Sequence, residues 1–172
     1  MLEEDEDYQF QDPKKMPLFH KAMEIFEIVN HLADVVKDEI EKDSENYEMV
    51  LTQNAIEHMR ENASLIPVKI GGAINIELYD LKMENAALIR KAAREISVNC
   101  TGLNIVSIGE TDHLKMLKDE IEEFRILFAE WVKTFDPWNY IIDRWGLFNP
   151  PGVNYDDHDP DDDIPFDPND LE

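Results

Sequence analysis

Dinuclear carboxylate centres in helical bundles take a Glu from each of two helices and a Glu-x-x-His pair from each of two others, all pointing inward. The chain contains one Glu-x-x-His, Glu110–His113, and it stands at a predicted helix start rather than in mid-bundle. Glu27 and His31 are spaced i, i+4, and His58 and Glu61 i, i+3, so each pair shares a helix face. Neither completes the ligand set, and both read as solvated faces. Cys100 is the single cysteine, with no His near it in sequence to generate a thiolate, so it reads as a packed thiol rather than a nucleophile. The run KIGGAI matches neither phosphate-binding glycine pattern. No catalytic residue, metal ligand or cofactor is therefore expected, and the chain is not read as an enzyme.

Recognition chemistry is better represented. Arg90, Lys91 and Arg94 fall at i, i+3 and i, i+4 spacing and form one cationic patch. It suits an RNA phosphate or an acidic tail, unless Glu84, Glu95 or a neighbouring helix neutralises it. The Asp-rich stretch near the end does not form a calcium loop. Counting from Asp157, position 6 is Asp162 and position 12 is Pro168; counting from Asp159, position 6 is Ile164, so the required Gly turn is missing. Ile164 and Phe166 are the apolar residues embedded in this acidic run and are candidate partner anchors.

The chain has 172 residues and a net charge of −23. The first twelve residues carry six acids and no Lys or Arg, and residues 154–172 carry nine acids and again no Lys or Arg. Residues 13–153 keep 24 acids against 16 bases, a moderately acidic body between two strongly acidic ends. That surface repels phosphate backbones, which disfavours generic nucleic-acid and anionic-membrane binding. One cysteine precludes an intramolecular disulfide and fits a reducing compartment. MLEEDEDYQF lacks the basic and apolar regions of a signal peptide, and no run is apolar enough to span a bilayer, so a cytoplasmic location is expected.

The elements that would position these residues are helical. Apolar residues recur at helical spacing from Leu18 through Ala22, Ile25, Phe26, Val29, Leu32, Ala33 and Val36 to Ile40, predicting a first helix that ends near Lys42 in the turn DSEN. A second pattern through Met49, Ile56, Met59, Ala63 and Ile66 meets Pro67, where a kink is expected, and Gly71–Gly72 reads as its end. A third opens after Asn75 and runs to Ile96; NCTGLNIVSIGET reads as a loop, with LNIVSI as a possible strand. Thr111 or Asp112 caps a fourth helix whose stripe reaches Phe135 before Asp136–Pro137. Trp138, Ile141, Ile142 and Trp145 then fall at i, i+3, i+4, i+7, predicting a short fifth helix whose apolar face needs a cover. The fold class is all-α: an antiparallel up-down-up-down four-helix bundle with a short C-terminal helix. It divides into an acidic arm (1–16), the bundle with its short helix (17–148) and an extended acidic tail (149–172).

The segment LTQNAIEHMRENASLIPVKIGGA resembles the second helix of the four-helix-bundle, or 23S rRNA intervening-sequence, protein family, whose pattern is close to S-I-P-x-N-I-A-E-G. Ile66, Pro67 and Ile70 match it; Lys69 stands where the family prefers Asn, and Gly72–Ala73 where it prefers Glu-Gly. FHKAMEIFEIV resembles the family's opening helix, and the likeness covers roughly residues 18–135. It implies an antiparallel bundle that assembles into ring-like homo-oligomers, often pentamers, with no catalytic residues. One branch, the retroelement accessory proteins, works with a reverse transcriptase and nucleic acid, but that branch is basic. DDDIPF is similar to the C-terminal tip of bacterial single-stranded DNA-binding proteins, although six residues follow Phe166 here and the helical body does not resemble their OB-fold.

These readings converge on a non-enzymatic, homo-oligomeric bundle acting as scaffold or adaptor. The expected partner is a basic protein, and Trp138, Ile142, Trp145, Ile164 and Phe166 are the candidate contacts. A nucleic-acid accessory factor using Arg90, Lys91 and Arg94 is the alternative. Self-repulsion among the tail's acids is expected to keep it solvated unless a positive surface meets it.

Overall fold

The computed structural model describes residues 10–42, 47–105 and 111–159. Four helices make up the body: α1 (Pro17–Lys42), α2 (Tyr47–Ala73), α3 (Tyr79–Ile105) and α4 (Thr111–Val132). No strand occurs among the described residues, and none of their helices is long and apolar enough to cross a membrane. A 3-10 turn at Pro13–Lys15 precedes α1, capped by Asp12, whose carboxylate accepts the Lys14 amide. The arm is tied down just before it: the Gln11 amide donates to Asn75 Oδ1 at 2.8 Å, and Asn75 Nδ2 returns a bond to the Gln11 carbonyl.

Buried positions follow one spacing rule in all four helices. In α1 they are Leu18, Ala22, Ile25, Val29, Leu32 and Val36; in α2, Thr52, Ile56, Met59, Ala63, Ile66, Ile70 and Ala73. In α3 they are Ala86, Ile89, Ala93, Ile96, Cys100 and Leu103, with Ala92 beside them. In α4, Leu114, Leu117, Phe124 and Trp131 are joined by half-buried Ile121 and Phe128. The alternating three- and four-residue steps average 3.5 residues, the period that keeps a seam facing its neighbours in coiled-coil-like bundles. α1 packs on α2 and α4, and α3 packs on the same two helices, so the seams close around one core. Cross-helix pairs run in opposite order along neighbours: Lys21 meets Glu120 and Glu123, whereas His31 meets His113.

α2 ends at Ala73, beside the expected Gly71–Gly72, with Pro67 buried inside it. Three local expectations are corrected. α3 does not end before 99; it continues through residues expected to form a loop, reaching Ile105. The reason is visible in the seam, since Cys100 and Leu103 extend the Ala93–Ile96 spacing and their burial outweighs the weak helix propensity of Thr101, Gly102 and Asn104. The Thr101 hydroxyl is satisfied within the helix by the Ser97 carbonyl at 3.1 Å. α4 ends at Val132, before Phe135. The predicted strand LNIVSI is helical as far as Ile105; its remaining residues, the turn DSEN and residues 160–172 lie outside the described residues.

The short fifth helix does not form either. Residues 137–149 are a chain of turns and bends. The Asp136 carboxylate accepts the Trp138 amide, and the Asp143 carboxylate accepts three amides further on, so side chains take the donors that a helix would have used. Gly146 has a positive φ of 73° as part of the Asp143 turn.

Candidate functional site

The segment after α4 is anchored at the start of α3. The Tyr79 amide donates to the Asn139 carbonyl at 2.7 Å, and the Ile141 amide to Asp80 Oδ1 at 3.1 Å. A helix's first amides have no partner within the helix, so the returning chain serves as a cap for α3. Phe135 fixes the other side. It is buried, stands edge-on to Trp131 at 4.8 Å between ring centroids, and has Lys82 Nζ 5.3 Å above its ring.

Beyond this anchor Asp143 organises the backbone. Its carboxylate accepts the amides of Trp145 (2.9 Å), Leu147 (2.8 Å) and Phe148 (2.9 Å). Those donors favour the charged form and hold its pKa below the ordinary Asp value, the Phe148 amide contributing most. Asn149 closes the turn in both directions, accepting the Asp143 amide at 2.7 Å and donating to its carbonyl at 2.9 Å. Arg144 reaches forward to the carbonyls of Tyr155 and Asp157, folding residues 153–157 back on the turn. This lattice leaves Trp138 87% and Trp145 90% exposed, with Leu147 at 75%. Of the two covers expected for this face, the chain's own helices and a neighbouring subunit, the chain's own helices do not supply one for Trp138 and Trp145. Ile142 is half-buried and lines a depression of about 590 Å³ with Asp80, Leu81, Glu84, Asp143, Trp145 and Phe148.

Arg90, Lys91 and Arg94 are all exposed on α3. Lys91 Nζ lies 3.7 Å from Glu95, whose carboxylate also accepts Asn62 Nδ2 at 3.1 Å and faces His58 Nε2 at 3.6 Å. Arg90 and Arg94 have no ion pair among the described residues, so the alternative of neutralisation by Glu84, Glu95 or a neighbouring helix holds only for Lys91. Together with His58, Val98 and Asn99 the three cations border a depression of about 450 Å³.

Among the described residues, no metal-binding group of three or more His, Cys, Asp or Glu is assembled. His31 and His113 rings meet at 5.0 Å between α1 and α4, a contact that no sequence spacing indicated. Glu110 lies outside the described residues. Cys100 is fully buried, and desolvation pushes its thiol up to about 11, so it stays protonated at neutral pH. Ile164 and Phe166 lie outside the described residues. No protein-family model, curated protein or solved structure matches the chain.

Proposed function

We propose that the chain is a non-enzymatic, homo-oligomeric helical-bundle protein that acts as a scaffold or adaptor, docking a protein partner on Trp138, Ile142 and Trp145. The observation that carries this reading is the pairing of two nearly bare tryptophans with a backbone pinned by Asp143. A Trp side chain removes on the order of 150–250 Å² from water when covered. Exposed aromatics on a pre-ordered loop are the residue type and setting in which binding energy concentrates, because little ordering entropy is lost on contact. Asp80, Glu84 and Asp143 rim the adjoining depression with Arg144, a net acidic border that favours an apolar plug flanked by basic residues. Membership of the intervening-sequence bundle family is part of the proposal. It rests on the resemblance of residues 51–73, and with it comes assembly into a ring.

Photo-crosslinking from a benzoyl-phenylalanine placed at position 138 or 145 of the full chain tests the reading. Adducts at twice the chain's 20.1 kDa mass would assign the tryptophans to a subunit interface. Adducts with one other protein, lost on substituting Ile142→Asp, would assign them to a partner. Absence of any adduct at either position, with the chain monomeric by light scattering, would overturn the proposal.

A further inference from the structure

Between α3 and α4 lies a second, smaller groove of about 170 Å³, floored by Ala93, Ile121, Phe124 and Phe128 and walled by Arg90 and Arg94. Arg125 and Glu122 form the opposite wall, and Arg125 donates to the Glu122 carboxylate through two nitrogens. Arg90 and Arg94 are not held by any carboxylate among the described residues, in a chain with 39 acids and 16 bases. With so many acids available, two arginines left unneutralised beside an apolar floor make a receptor for something both acidic and apolar.

We propose that this groove is a peptide-docking site and that its occupant is the chain's own residues 160–172. That segment carries six acids, no base, and the apolar residues Ile164, Phe166 and Leu171. Aspartates on either side of an apolar anchor match guanidinium groups on either side of an apolar floor, and each Arg–carboxylate contact can be bidentate. The described chain ends at Asp159, eighteen residues beyond the Ile141 amide that Asp80 holds. The thirteen remaining residues span up to roughly 43 Å when extended. Docking would neutralise the two arginines, and a basic partner that attracts the tail would vacate the groove.

Methyl-resolved NMR of the full chain, labelled at Ile δ1, tests this. At low salt the Ile164 methyl is expected upfield of its random-coil position, with contacts to the Phe124 or Phe128 ring. It should return to random coil at about 0.5 M NaCl, where the Debye length falls below ~5 Å, and in the Arg90→Glu/Arg94→Glu variant. Should that variant fail to fold, Ile164→Ser/Phe166→Ser changes only the tail and must shift the Ile121 methyl. An Ile164 methyl at its random-coil position in the unmodified chain at low salt overturns the proposal. So do Ile164–ring contacts found only between differently labelled copies in a mixed sample, which would make a second copy the occupant. A shift of Ile121 produced by a short RNA with the Ile164 methyl unmoved would assign the groove to nucleic acid instead.

Discussion

The Tyr79 amide and the Asn139 carbonyl, far apart in sequence, share a 2.7 Å hydrogen bond that joins the start of α3 to the chain leaving α4. Asp80 adds a second tie by accepting the Ile141 amide. Asp80→Ala removes that tie, and because the freed amide is exposed to water the cost to the whole fold is modest, ~0.5–1 kcal/mol. The local effect is larger. Amide hydrogen exchange at Ile141 should accelerate well beyond any change at Ile89 or Ile96 in the core.

Asp143 is expected to govern the tryptophan-bearing turn without governing the bundle. Its folded pKa is depressed, so its contribution to order is present above the ordinary Asp value of 3.8 and is lost as pH falls through the lower folded value. Carboxyl NMR titration should therefore place Asp143 below that value. Asp143→Ala should raise the mobility of Trp145, read as fluorescence anisotropy, while leaving the helical circular dichroism unchanged.

Lys21 joins α1 to α4 with an ammonium group set among three carboxylates: Glu24 at 2.7 Å, Glu120 at 2.6 Å and Glu123 at 2.8 Å. Lys21→Met should destabilise by on the order of 1–2 kcal/mol, since two of the three acids are largely solvated. The acids left behind repel one another, so added salt should restore part of the loss in urea unfolding. The Glu120 hydrogen bond is the chief cause of the raised Lys21 pKa, and the Lys21 bond that of the lowered Glu24 pKa. The lysine's contribution is complete below 10.5 and is lost only in strong alkali, as pH passes its folded value. Glu24's contribution is complete above 4.5 and is lost as pH falls through its own folded value. Stability from this cluster should thus be flat across neutral pH.

Gly72 and Gly102 stand inside helices, and a Cβ built at either meets nothing within 4 Å. Neither is needed for a turn. Gly72→Ala and Gly102→Ala should each stabilise by roughly 0.5–1 kcal/mol, less where the position nears a helix end. Thermal melts of the single variants check both values.

Sequence periodicity alone determined that the chain is helical and which face of each helix is buried. The positions from Leu18 to Val36 and from Ile56 to Ile70 are legible because burial of apolar area acts at every turn of a long helix and repeats its signal. Cys100 is a packed thiol as expected, on the general tendency of free cysteine to be buried and not on periodicity, since its sequence reads as the start of a loop. What local signals could not settle are the places where two interactions of similar size compete. Thr101 and Gly102 look like a loop until Cys100 and Leu103 are seen to fill the core between neighbouring helices. Trp138 to Trp145 has helical spacing, yet Asp136, Asp143 and Asp80 take its amides, and that depends on α3 beginning beside Asn139. Arg90 and Arg94 are adjacent in any helix, but only the packing of α4 against α3 sets them beside Phe124 and Phe128, with no ion pair among the described residues. Helix faces follow from local spacing because each turn reports independently. Caps, turns and grooves follow from which distant backbone or side-chain group arrives first, and only the tertiary structure decides that.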